Sequence, residues 1–214
     1  MNKKYHIEIT KKALKDHFSP AALKMIIHGN IRQDRIKNQF NHDYIHFDSN
    51  EFNTGFGYIR NQQKIVISAI EGLEFTTARK AFGRICHSWQ DFYSHSNYVK
   101  LWLDKAETTS PRDIDPNDQN IISHPKLRSG INYGIVEFFA LVPGLGALIK
   151  PNMPDDSHAI MNLDSPKAGP LFAFAVVAAM KKTLIAYFDL ILKLTTTHID
   201  EIKIAGFKGH NNFK

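Results

Sequence analysis

His87, Asp91 and His95 follow one another at four-residue steps in the run GRICHSWQDFYSHSNYV, residues 83–99. Two imidazoles and a carboxylate are donors that suit a zinc ion. On an α-helix, positions i, i+4 and i+8 form one slowly drifting stripe, with about 6 Å between steps. The competing reading is a solvated polar stripe on a surface helix. Trp89, Phe92, Tyr93, Tyr98 and Trp102 leave no room for a wholly exposed helix. On a buried one, the aspartate needs a charge or a metal and each histidine needs a partner. This segment alone leaves both readings open.

Histidine and aspartate recur together in three further segments. YHIEITKKAL places His6 just before an expected helix. GNIRQDRIKNQFNHDYIHFDSN holds Asp34, His42, Asp43, His46 and Asp48. DDSHAIMNLDSP holds His158 and Asp164 ahead of the last long helix. A polynuclear metal site buried among helices needs donors from several elements, because each ion takes several ligands. His42 and Asp43 read as solvated neighbours, as do His17, His28, His124 and His198. The lone cysteine, Cys86, can form no intrachain disulfide and reads as a small buried apolar residue.

The elements that must position these residues are helical. Short helices are expected over 9–17 and 20–28, the second opened by Ser19-Pro20 and closed by Gly29. Longer ones are expected over 55–73, from a cap at Thr76 or Thr77 to about residue 105, and from 167 to 194 after Ser165-Pro166. No alternating strand pattern appears, and 108–120 and 150–157 read as loops. FFALVPGLGALI (138–149) and LFAFAVVAAM (171–180) are apolar but read as buried segments, too short to span a membrane. The first is broken by Pro143, Gly144 and Gly146 and could be a hydrophobic loop. The tail, 209–214, is expected to be disordered.

With 214 residues, 43% hydrophobic and 22% charged, the chain suits one globular domain, 1–214. Its formal net charge of +6 favours phosphates or anionic lipid surfaces. The start, MNKKYHIEIT, is basic with no apolar run behind it, so it does not read as a secretory signal. The expected location is cytoplasmic, or exported without a recognisable signal.

HIEIT, HFD, GRICHSWQDFYSHSNYV and HAIMNLDSP together resemble the zinc-dependent phospholipase C and single-strand nuclease superfamily, and most of all its Het-C-like branch. The resemblance runs over residues 6–164 in the family's order. It implies an all-α, single-domain helical bundle holding two to three zinc ions that hydrolyse phosphate esters. The ligands it implies are His6, Asp34, His46, His87, Asp91, His95 and His158, with Asp34 also acting as the catalytic residue that orients or deprotonates water. The late acidic ligand normally lies one helical turn after its histidine. Asn162 holds that place here, and Asp164, six residues on, is either a ligand or the N-cap of the following helix. In the secreted enzymes a mature N-terminal tryptophan gives its amine and carbonyl to a zinc. The first residue here is Met1, which is left out of the expected set.

The implied activity is phosphodiester hydrolysis, phospholipase C-like, with a phospholipid substrate and transient contact with a membrane surface. A single-strand nuclease, with nucleic acid stacked on Phe92, Tyr93 and Tyr98, is the alternative enzyme. A catalytically silent, metal-stabilised interaction protein at membranes is the alternative outside enzymes.

Overall fold

A computed structural model describes residues 1–35, 42–107, 110–136, 139, 142, 144 and 146–210. Residues 138, 140, 141, 143 and 145, in the segment expected to be buried or a hydrophobic loop, and 211–214, in the tail expected to be disordered, lie outside the described residues; Phe139 and Leu148 of the first segment are exposed rather than buried. Among those described, all regular elements are helical, and the only extended pairings are two isolated bridges, Ser96 with Ser129 and Ile131 with Ser157. The protein is the expected all-α, single-domain bundle.

The principal helices are α1 (Lys3–Leu14), α2 (Pro20–Ile31), α3 (Asp43–His46), α4 (Phe52–Glu71), α5 (Phe75–His95) and α6 (Tyr98–Leu103). They are followed by α7 (Gln119–Ile122), α8 (Gly146–Ile149), α9 (His158–Met161), α10 (Leu171–Thr196) and α11 (Glu201–Lys208). Helix α5 is the hub, with α2, α4 and α10 packed around it. From Ile85 to His95 only Trp89 is even half-buried, the rest being buried. Phe92, Tyr93 and Tyr98 are fully buried, so they build the core and offer no stacking platform to a nucleic acid. Phe92 lies edge-on to Phe47, Phe52, Trp89 and Tyr98. Cys86 is buried, and burial pushes its thiol well up.

Several boundaries differ from expectation for identifiable reasons. Helix α1 begins at Lys3, so His6 lies inside it, one turn before Thr10 on its buried face. The long central helix stops at His95, because Ser96 is extended and turns its hydroxyl back to donate to Phe92 O. Its start is Phe75, just after Leu73 turns the chain at φ 61°, rather than a cap at Thr76 or Thr77. Ser19 does cap α2, accepting from Ala22 N at 3.3 Å. The 167–194 helix starts only at Leu171, after a 3-10 turn at Pro166–Ala168 and Gly169 at φ 91°. Helix α11, capped by the Asp200 carboxylate on Ile202 N, was not anticipated. Nor was the span-like character of α10, since across Lys181-Lys182 its 26 residues are long and apolar enough to cross a membrane by length and composition. Half of its most apolar window is buried in the bundle. Lys182 sits over the Trp89 ring and donates to Asn117 Oδ1.

Gly29 does not end α2. It lies where α2 crosses α5, and a Cβ there would meet Lys80 backbone, 2.7 Å from its Cα. Across the same crossing, a Cβ on Gly83 would meet the Ile26 carbonyl and lie 2.7 Å from Asn30 N. Gly83→Ala must therefore move one backbone away from the other. It is expected to destabilise the protein by about 1–3 kcal/mol, read as a fall in urea midpoint with the slope unchanged.

Candidate metal centre

Helix α5 delivers His87, Asp91 and His95 along one buried stripe, and five other segments close over it. His6 comes from α1, Asp34 from the turn after α2, His46 from the end of α3 and His158 from the start of α9. Asp164 comes from the segment before the 3-10 turn. Two groups form, each with donor atoms within 4.8 Å of one another: His6, Asp34, His87 and Asp91; and Asp48, His95 and His158. His46 and Asp164 lie between and beside them.

Asp91 is the centre. Its Oδ1 is 3.1 Å from His6 Nε2 and 2.6 Å from the Met1 α-amine; its Oδ2 is 2.8 Å from His87 Nε2 and 2.9 Å from His46 Nδ1. Burial alone would raise its carboxyl. His87, the amine, His95 and His6 outweigh that and hold it well below the usual carboxylate range.

A buried amide network beneath the stripe fixes the histidine tautomers. The Gln90 amide donates to Thr10 Oγ1 and Thr183 Oγ1, and the Asn30 amide donates to Thr10 Oγ1 and Gln90 Oε1. Both carbonyl oxygens are thus acceptors. His6 Nδ1–H donates to Gln90 Oε1 at 2.7 Å, and His87 Nδ1–H to Asn30 Oδ1 at 3.2 Å. His87 then turns an unprotonated Nε2 toward Asp91, and His6 turns its Nε2 to the same carboxylate. Burial keeps His87 neutral, lowering it to about 4. Outer partners of this kind orient metal-binding histidines in known sites.

On the other side Asp48 plays the same part. Its Oδ1 accepts from His158 Nδ1 at 2.7 Å and lies 3.1 Å from His95 Nδ1, which itself donates to the His46 carbonyl at 3.0 Å; the two rings outweigh burial in keeping Asp48 ionised. Asp48 follows His46 closely in the chain, but the rings beside it are those of His95 and His158. The turn that aims His46 and Asp48 the same way runs through Phe47 (φ 58°), Ser49 (φ 53°) and Asn50 (φ 60°). A left-handed phenylalanine is uncommon and is held here by a fully buried ring.

Asp164 is not a helix cap. The 3-10 turn is preceded by Ser165, while Asp164 Oδ1 lies 3.2 Å from His95 Nε2 and 2.8 Å from the Met1 amine. That amine, also 2.9 Å from His95 Nε2, stands as a positive charge among three of the donors. Burial would lower it, but Asp164, Asp91 and Asp34 raise it to about 11. Met1 was left out by sequence reasoning, and nothing in the side-chain pattern could have marked a backbone amine. Among the other histidines, His17 stacks on Tyr187, far from the cluster in sequence and packing. Asp43 is not merely solvated: it accepts from Ser49 Oγ and Asn132 Nδ2, tying α3 to the 129–132 segment.

The donors also carry an unmet demand. His6 Nε2, Asp34 Oδ2 and His46 Nε2 are buried with no hydrogen-bond partner among the described residues. His87 Nε2, Asp91 Oδ2 and His46 Nδ1 meet within 3.1 Å of one another in sequence around the ring. Beyond what the His46 Nδ1–H and the Met1 amine satisfy, a cation would meet these buried atoms, and the residues fit one. The two His/Asp groups could hold metal ions.

The protein resembles von Willebrand factor A domain-containing protein 7 of Homo sapiens, with 35% identity over 81 residues, 38% of this chain and 9% of that protein. The Rattus norvegicus and Mus musculus proteins of the same name match to the same extent. The chain thus spans about a tenth of the length of these relatives. No solved structure matches. A family model, the VWA7 N-terminal domain, matches residues 3–117, more than half of the chain and all of the segment carrying His6 through His95. The chain therefore belongs to the VWA7 N-terminal domain family.

Proposed function

We propose that the cluster binds zinc and that the protein is a phosphodiester hydrolase of the phospholipase C type. The observation that carries this reading is the pair of nitrogens, His6 Nε2 and His87 Nε2, turned onto the ionised Asp91 while their Nδ1–H groups are committed elsewhere. The ligands are His6, Asp34, His46, His87, Asp91, His95, His158 and Asp164. Zinc bound there would lower the pKa of a bound water to about 7 and neutralise phosphate oxygens.

The chain's own residues have distinct tasks. Asp34 Oδ2, buried with no partner, is available to take a proton from water, while Asp34 Oδ1 stays 3.6 Å from His87 Nε2. Gln90, Asn30 and Asp48 hold the imidazoles in one tautomer. Asp34, Asp48, Asp91 and Asp164 together fall short of neutralising three divalent ions, so the loaded site would attract a phosphate.

The substrate is a phospholipid rather than a single-stranded nucleic acid. Phe92, Tyr93 and Tyr98, the aromatic residues expected to stack bases, are in the core. Beyond His158, whose N–H donates to Ile131 O, the chain exposes Ile135 and Val136, apolar side chains suited to a lipid surface.

Elemental analysis after chelator-free purification is expected to give about two to three zinc ions per chain, with turnover of a phospholipid above that of single-stranded DNA. Less than one zinc per chain would overturn the cluster. Full metal without any turnover would instead leave a metal-stabilised interaction domain.

A further inference from the structure

A cavity of about 400 Å³ opens between the end of α2, the first half of α5 and Tyr58 of α4. Arg32 and Arg35, just after α2, and Lys80 and Arg84, one turn apart on α5, line it. Among the described residues no acidic side chain does. Gln33 and Ile45, also in its wall, are the chain neighbours of Asp34 and His46, so the cavity abuts the first His/Asp group. Gln33 is buried and donates Nε2–H to the Tyr58 hydroxyl at 2.7 Å, which leaves the phenol proton to be donated onward. Burial pushes Tyr58 up to about 12 and keeps that proton in place. The positive field reaches His28 on α2. Burial, then Arg32, Lys80 and Arg35, lower its pKa.

Arg35, Lys80 and Arg84 bring three positive charges to one cavity, and an anion seated there, with the Tyr58 hydroxyl as a further donor, offsets their mutual repulsion. We propose that this cavity receives an anionic, phosphorylated head group attached to the phosphodiester held at the cluster, so that phospholipids with a further head-group phosphate are preferred to those ending in choline. A choline ammonium would meet like charges here, with no carboxylate and no aromatic cage to receive it. The cleavage half of this statement rests on the function proposed above; the binding half does not.

Titration calorimetry on the full chain separates the two. Inositol 1,4,5-trisphosphate is expected to bind and glycerophosphocholine not to. Lys80→Gln and Arg35→Gln, at half-buried and exposed positions, are each expected to weaken the trisphosphate about tenfold. With metal removed from both proteins by chelation, so that the cluster itself no longer draws a phosphate, Asp91→Asn is expected to keep the affinity of the parent chain, and the affinity is expected to fall with added salt. If Asp91→Asn abolishes binding while both cation variants retain it, the anion sits on the cluster and the proposal is overturned. A short single-stranded oligonucleotide that binds more tightly through the same cations would overturn the lipid head group. The expected binding pattern with no hydrolysis of any phospholipid would uphold the pocket and defeat only the cleavage reading.

Discussion

Asp91→Asn is expected to strip the protein of its metal and of phosphodiesterase activity, while leaving the far-ultraviolet circular dichroism close to that of the parent chain. The two side chains have the same shape, so what is removed is one negative charge at the point where His6, His46, His87 and the Met1 amine converge. The helix itself is held by other means, since Phe82, Ile85, Cys86 and Phe92 fill the core on either side. Zinc content is expected to fall below one ion per chain and turnover by more than about 100-fold, beyond what loss of an outer partner gives. Asp48→Asn is the comparison. Asp48 orients His158 through its Nδ1–H, lies 3.1 Å from His95 Nδ1, and stays outside the crowd around Asp91. Its loss is expected to cost about 10–100-fold in metal affinity, with activity restored by added zinc. Full metal and activity in Asp91→Asn, with both lost in Asp48→Asn, would make the α5 stripe structural and move the centre to the second group.

The donors were legible in the sequence because chemistry fixes their types. His87, Asp91 and His95 stand at helical spacing among aromatics, and such a stripe has nowhere to go but inward. The segments around His6, Asp34, His46 and His158 repeat the same residue types, and the fold brings all of them to the stripe. The class of fold was legible for the same reason, since no stretch alternates as a strand would. Less legible was everything that acts through backbone or through ordinary polar residues. Thr10, Asn30, Gln90 and Thr183 are unremarkable one at a time. Their role comes from four helices meeting, α1, α2, α5 and α10, and only His6 and Thr10 at i and i+4 hinted at it. The Met1 amine has no side-chain signature at all. Asp164 was ambiguous because capping and metal binding ask for the same carboxylate, and the six-residue offset from His158 is bridged by the extended Asn162, which ends α9 after one turn. The end of α5 was misplaced because Ser96 breaks the helix by a side-chain bond to its own backbone, a competition that apolar periodicity does not record.

Removing the metal with a strong chelator is expected to lower the melting temperature by about 10 °C. The reasoning is one of linkage. An ion that binds only the folded chain stabilises it by about 4 kcal/mol when present at a thousand times its dissociation constant. For a domain of this length each kcal/mol moves the midpoint by about 2–4 °C. The cluster draws on α1, the turn after α2, α3, α5, α9 and the segment at Asp164, so no unfolded chain could present these donors together. Without the ion, Asp34, Asp91 and Asp164 face one another across buried space with only imidazoles and one amine between them, and that repulsion adds to the loss. The elements expected to loosen first are the short ones that carry site residues. These are α3, tied in by His46 and Asp48, and α9, tied in by His158; α5 stays packed between α2, α4 and α10. Hydrogen exchange after chelation should therefore rise in 42–50 and 156–164 before it rises in 80–92. A melting curve unchanged after proven metal removal, with exchange unaltered in those two segments, would reduce the cluster to a peripheral site that the fold does not depend on.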